Sequence, residues 1–166
     1  RYKYTERTIF NHRKIVSRIQ RDLELSCKFI SEWTALWNDI SEWALWLHPT
    51  FLLSSNSFFV GAYTENEDCI GLAIFQKSCN KYLYLYDLKV NAKYRHNGIG
   101  KKLIEEGKKI ATANGYKGIY TQAQDNNLIA CKFYLKTGFE IGGIDTMFYN
   151  GTAQEGKIDI IFYLNC

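Results

Sequence analysis

The spacing of apolar positions along the chain changes twice. Tyr2, Tyr4 and Thr8 alternate as a short opening strand. From Asn11, a candidate N-cap, Ile15, Ile19, Leu23, Cys27 and Ile30 recur at helical intervals. A second helix starts at Ser31 and carries Trp33, Leu36, Trp37, Ile40, Trp43, Ala44 and Leu47 on one broad face until Pro49 stops it. After Ser54, Ser55 and Asn56 the period shortens to that of strands. Phe58 to Tyr63 and Ile70 to Phe75 are apolar runs joined by the polar turn Thr64 to Asp68, which predicts a hairpin. Ser78, Cys79 and Asn80 turn the chain into a long strand, Tyr82 to Val90, and a helical pattern follows over Lys101 to Asn114, with Gly115 as its stop. The rest predicts a strand at Gly118 to Gln124, a helix near Asn127 to Thr137, and strands within Phe139 to Tyr149 and Lys157 to Leu164. Helices alternating with strands in this way predict a mixed α/β sheet.

A length of 166 residues fits one domain, able to bury its core without a disulfide or metal staple. The aromatic share of 16% is rich and favours aromatic-walled clefts. No apolar run reaches the length of a membrane span and no signal peptide is visible, so no membrane partner is expected. The chain begins at Arg1 and not at Met, which leaves room for upstream residues. Cys27, Cys69, Cys79, Cys131 and Cys166 are odd in number and scattered, and His12, His48 and His96 form no cluster. Together they predict a reduced, cytoplasmic protein with no metal site. A net charge of +4 is too small for a nucleic-acid partner. The excess is local instead, because Lys89, Lys93, Arg95, Lys101, Lys102, Lys108 and Lys109 crowd around one turn.

That turn, Tyr94-Arg95-His96-Asn97-Gly98-Ile99-Gly100, lies between the long strand and a helix. Glycines let the backbone turn tightly, and the first amides of the helix have no intrahelical acceptor. Such a place suits an anion. The pattern R-x-x-G-x-G after a strand ending in L-x-V, carried by Leu88, Val90, Arg95, Gly98 and Gly100, resembles the acetyl-coenzyme A signature of the GNAT superfamily of N-acetyltransferases. It is neither the G-x-G-x-x-G dinucleotide fingerprint nor a P-loop. A second stretch, NNLIACKFYLKTGF, is similar to that superfamily's N-x-x-A-x-x-F-Y-x-x-x-G-F motif, through Asn127, Ala130, Phe133, Tyr134, Gly138 and Phe139.

The resemblance covers about residues 58–164 and implies one GNAT-like domain over 1–166, with a helical part at 1–50 and an acetyl-CoA-binding core at 58–164. It implies a mixed, mostly antiparallel sheet flanked by helices, whose central strand pair splays apart. The turn residues His96, Asn97, Gly98, Ile99, Gly100 and Lys101 would hold the pyrophosphate, with Arg95 adding charge. Main-chain groups of Leu88 and Val90 would pair with the pantetheine arm. Asn127 would bond to that arm and Tyr134 would lie near the sulfur. The resemblance further implies coenzyme A as the product and a small-molecule amine as the acceptor.

A free alkyl amine, with a pKa of about 10.4, is neutral in only about one molecule in 2500 at pH 7, so a base or a desolvated pocket is needed. Asp87 is the candidate for holding the amine and passing on its proton, and Tyr134 for stabilising the leaving thiolate. The tryptophan helix packs the core, or else offers Trp33 or Trp37 as an aromatic wall of the acceptor site. The run QDNNLIACKFY followed by GFEIGGIDTMFY is similar to the C-terminal half of streptothricin acetyltransferases, which implies that Asp125, Asp145 and Tyr149 line the acceptor site. Where that branch carries glutamates, this chain has Tyr86 and Gln122. The acceptor therefore stays open between the β-lysine amine of streptothricin and a protein N-terminus, a lysine or a polyamine. A non-enzymatic acyl-CoA sensor and a homodimer also stay open.

Overall fold

A computed structural model describes residues 2–7, 56–66 and 68–166. The expected N-terminal helices, with Trp33 and Trp37, lie outside the described residues. Seven strands, β1 (Lys3–Arg7), β2 (Ser57–Tyr63), β3 (Cys69–Gln76), β4 (Tyr82–Val90), β5 (Gly118–Gln124), β6 (Glu140–Asp145) and β7 (Asp159–Asn165), form one sheet in the order β1-β2-β3-β4-β5-β7-β6. The sheet is mixed and mostly antiparallel. Two helices are described, α1 (Ile99–Ala113) and α2 (Leu128–Lys136). The chain divides into two compact units: Arg1–Ile74 with Asp87–Leu103, and Phe75–Tyr86 with Ile104–Cys166.

In the first unit β1 pairs antiparallel with β2, from Lys3↔Tyr63 to Arg7↔Phe59. The opening strand is described over Lys3–Arg7, and Thr8 lies outside the described residues. β2 and β3 are buried on both faces, as continuous apolar runs require. The turn between them closes through Thr64 N–H to the Asp68 carbonyl at 3.0 Å and Asp68 N–H to Thr64 Oγ1 at 3.1 Å. Gly71 on β3 seats the first turn of α1: a Cβ there would meet Ile99 Cγ2 at 3.0 Å and Leu103 Cδ1 at 3.3 Å. Ile99 and Leu103 are themselves buried, so the helix mouth is held by close packing and not by a long loop.

The second unit is organised by strand alternation. β5 pairs antiparallel with β7 from Gly118↔Asn165 to Gln124↔Asp159, and β7 pairs with β6. One face places Leu83, Ile119, Thr121 and Phe162 in the core. The opposite face carries Tyr84, Tyr120 and Tyr163 across three strands, with ring centroids 4.8 and 5.8 Å apart and stacked. A bulge lies between Ile141 and Gly143, and at Gly142 the absence of a Cβ lets the Tyr163 ring lie against the backbone, since a Cβ would stand 2.2 Å from it. The parallel ladder of β4 with β5 covers only Tyr82↔Gly118, Leu83↔Ile119 and Tyr84↔Tyr120. Beyond it the Thr121 hydroxyl, not a backbone amide, donates to the Leu85 carbonyl at 3.0 Å. The two strands thus part company early, as the resemblance implied.

Candidate active site

The mouth of α1 is built mainly from backbone. Asn91 N–H donates to the Ile70 carbonyl at 2.9 Å, and Asn91 Oδ1 accepts from Lys93 N–H at 3.0 Å, which caps the single 3-10 turn Ala92–Tyr94. Arg95 Nε donates back to the Val90 carbonyl at 3.1 Å, and Asn97 Nδ2 to the carbonyls of Tyr94 and Arg95 at 3.2 and 3.3 Å. These bonds fix the loop between β4 and α1. His96 adopts φ 66°, a left-handed conformation that a non-glycine residue takes at a cost of about 1–3 kcal/mol, and Gly98 adopts φ 75°. Lys102 N–H donates to the Gly98 carbonyl at 3.0 Å, making Gly98 the N-cap. Gly98, Ile99, Gly100 and Lys101 therefore supply the four amides that no helical carbonyl can reach. No acidic residue lies in that first turn to compete for them. With about +0.5 charge at such an end, and Arg95, Lys101 and Lys102 exposed on the same stretch, the donor set fits a pyrophosphate.

On β4, Asp87 and Lys89 form an ion pair at 3.0 Å, both half-buried. Burial lowers the Lys89 ammonium's proton affinity, and the Asp87 carboxylate opposes that. Leu88 and Val90 lie past the last parallel pair with β5.

In the second unit, Asn127 Oδ1 accepts from Ala130 N–H at 3.2 Å, so the side chain expected to meet the pantetheine arm caps α2 and keeps only its Nδ2 for a ligand. Tyr134 is 9% exposed and its ring packs 5.3 and 5.4 Å from Phe139 and Phe162. It is a core residue as well as a candidate proton donor. Tyr86 is exposed and stands edge-on to Tyr84 at 6.1 Å. Burial pushes the Tyr84 phenol well above the usual tyrosine range, helped by Tyr120 and Asp159.

The polar side of β5 and β7 converges on a residue that sequence reasoning missed. Asp159 is 1% exposed and accepts from Gln122 Nε2 at 2.5 Å and from Tyr149 Oη at 3.1 Å. Burial raises its pKa; hydrogen bonds from Gln122 and Tyr149 pull the other way, and Asp145, its cross-strand neighbour, adds to the rise. The Tyr149 phenol is raised by burial and then by Asp159. Asp145 Oδ1 accepts from Met147 N–H at 2.8 Å and Asp125 Oδ1 from Ile158 N–H at 3.2 Å, so both shape the segment that carries Tyr149. The signal available in the sequence was an aspartate opening an otherwise apolar strand, Asp159-Ile160-Ile161-Phe162. The structure thus gathers Gln122 and Tyr149 around one carboxylate, with Asp145 paired opposite it and Asp125 at the neighbouring strand end.

Among the described residues no group of histidines, cysteines and carboxylates is placed to hold a metal ion, and no helix is long and apolar enough to cross a membrane. Cys79, Cys131 and Cys166 are free thiols.

Against known proteins, the model of the acetyltransferase (GNAT) family matches residues 22–139. Streptothricin acetyltransferase A of Bacillus subtilis (strain 168) is 36% identical over 101 residues, which are 61% of this chain and 58% of that protein. Streptothricin acetyltransferase of Escherichia coli is 33% identical over 94 residues, 57% of this chain and 53% of that one. The chain spans about half the length of the curated relatives it matches. Among solved structures, a candidate streptothricin acetyltransferase from Bacillus anthracis str. Ames, in complex with acetyl coenzyme A, superposes with a TM-score of 0.64 at 37% identity over 68% of this chain and 64% of that one. A candidate GNAT acetyltransferase from Desulfovibrio desulfuricans shares the fold, with a TM-score of 0.71 at 19% identity over 99% of both chains.

Proposed function

This chain belongs to the acetyltransferase (GNAT) family, and from that premise we propose that it moves the acetyl group of acetyl-CoA directly to a primary amine, the β-lysine amine of streptothricin being the acceptor. One observation carries the first part: the four amides at the mouth of α1, opened by Gly98 at φ 75°, in a chain 37% identical to a protein crystallised with acetyl coenzyme A. The identities to streptothricin acetyltransferases support the acceptor.

Acetyl-CoA supplies an activated acyl group as a thioester. The amides of Gly98, Ile99, Gly100 and Lys101 would take its pyrophosphate, with His96 and Asn97 shaping the approach and Arg95 adding charge. Leu88 and Val90 would offer main-chain groups to the pantetheine, and Asn127 its Nδ2. Tyr134 Oη would hold the departing sulfur by a hydrogen bond. A phenol near pKa 10 is a weaker acid than a thiol near 8.5 by about 2 kcal/mol, so stabilisation by the bond precedes full proton transfer. Asp87 would anchor the acceptor ammonium and pass on the proton that it must lose before attack, a task in which Lys89 competes at 3.0 Å. Tyr86, Gln122, Asp125, Asp145 and Tyr149 would line the acceptor side, with Trp33 or Trp37 as an added wall. The residues 1–166 act here as one catalytic domain in the cytoplasm.

The test is thiol release from acetyl-CoA in the presence of streptothricin, protein N-terminal peptides, lysine and polyamines. Turnover with streptothricin well above the others is expected. Binding of acetyl-CoA by calorimetry without turnover on any amine would overturn the transferase reading.

A further inference from the structure

Asp159 has a fixed hydrogen-bond sense that its neighbours do not. An ionised carboxylate accepts only, so Gln122 must present its amide hydrogen to Oδ2 and Tyr149 its phenolic hydrogen to Oδ1. Tyr149 then faces away from Asp159 through its oxygen lone pairs, and Gln122 through Oε1 and its second N–H. Without the carboxylate, either group could equally donate. The surroundings share this polarity. Among the described residues, none of Asp125, Asp145 and Asp159 forms an ion pair. Asp145 and Asp159 are directly opposite in the β6–β7 ladder, where like charges cost stability until a cation intervenes. The nearby ammonium of Lys157 donates instead to the amide oxygens of Gln124 and Gln154. Tyr84 lies stacked on Tyr120 on the same side of the sheet, and Tyr120 is itself stacked on Tyr163, so the three rings wall that face.

We propose that Asp159 is a positioning residue that keeps Tyr149 Oη and Gln122 Oε1 as hydrogen-bond acceptors, so that this face of β5 and β7 selects a protonated primary amine on a flexible arm over neutral or anionic acceptors. The inference rests on the amine-transferase reading for its place in a reaction, yet amine binding can be measured without turnover. Desolvation of the amine is completed elsewhere along its path to the thioester.

The probes are streptothricin and 1,5-diaminopentane, titrated by calorimetry into the intact protein saturated with coenzyme A, and then used in initial-rate kinetics. Asp159→Asn removes the charge and frees the polarity of both neighbours; Tyr149→Phe keeps the ring and removes the acceptor oxygen. Each variant is expected to weaken amine binding, and to raise the amine KM, by about tenfold or more, with kcat changed less than about threefold. Coenzyme A affinity should not move. If Asp159→Asn fails to fold, Tyr149→Phe decides alone. Amine affinity unchanged in the folded variants, or no amine binding by the wild type, overturns the proposal. Amine binding that is lost in the variants, in a wild type that never releases thiol, upholds this inference while defeating the transferase reading.

Discussion

As proposed, the mouth of α1 and the polar face of β5 and β7 would hold polar ligands with opposite materials. At the mouth the ligand-facing groups are amides of consecutive residues, Gly98 to Lys101, set by one glycine torsion and by the packing of Ile99 and Leu103 over Gly71. On the face they are side chains from positions far apart, Gln122, Tyr149 and Asp159, locked by each other. Backbone donors come with the helix whatever the side chains are, so the first region tolerates side-chain change and is sensitive to torsion. The second is sensitive to single atoms. The comparison also separates ligand chemistry: a donor-rich, positive helix end suits phosphate, and an acceptor-rich, carboxylate-backed face suits an ammonium.

If that division holds, side-chain deletion strikes turnover hardest. Tyr134→Phe keeps the aromatic packing against Phe139 and Phe162 and removes only the hydroxyl. Turnover should fall about a hundredfold while acetyl-CoA affinity stays within about twofold, measured by steady-state kinetics beside calorimetry. Equal losses in both would make Tyr134 a binding or packing residue only. At the mouth the pattern reverses. Gly98→Ala finds nothing within 4 Å of its new Cβ, so no clash unfolds the chain. The residue must still hold φ 75°, at about 1–2 kcal/mol, and its methyl would stand where the pyrophosphate is proposed to approach. Acetyl-CoA affinity should drop about tenfold with kcat at saturation nearly unchanged.

A smaller effect tests the seat and not the mouth. Gly71→Ala places a Cβ 3.0 Å from Ile99 Cγ2 and 3.3 Å from the Lys89 carbonyl, and the buried Ile99 has little room to give. A stability loss of about 1 kcal/mol and a cofactor affinity reduced about threefold are expected, read by thermal melts and calorimetry. Unchanged affinity despite lost stability would mean that the amides keep their places without the packing.

The same contrast explains what could be read from the letters. Strand Tyr82–Val90 and strand Gly118–Gln124 fall where alternation put them, and α2, Leu128–Lys136, falls within the helix expected near Asn127 to Thr137. The mouth was legible because its parts are adjacent: a glycine at a left-handed torsion, then a helix. His96 at φ 66° was not, since no local rule asks a histidine to turn left-handed. Asp159 escaped because its partners lie 37 and 10 residues away, and only the register Gln124↔Asp159 brings Gln122 into diagonal reach. Asn127, read as a ligand contact, also has a capping role that its position just before Leu128 already announced.

The smallest expected effect concerns pH, and it separates the two regions by sign. Burial raises the pKa of Asp159 above its usual 3.8, so the folded chain binds that proton more tightly than the unfolded chain does. Its contribution to stability is then fully present below 3.8 and is lost as pH rises through the folded-state value. Asp159→Asn carries no such proton. The wild type should therefore lose stability relative to Asp159→Asn as pH climbs out of the acid range. Melting curves of both proteins across that range check the slope. Gly98→Ala, which alters a torsion and no titrating group, should follow the wild-type profile in parallel, offset but not tilted. A tilt shared by all three proteins would place the controlling carboxylate somewhere other than Asp159.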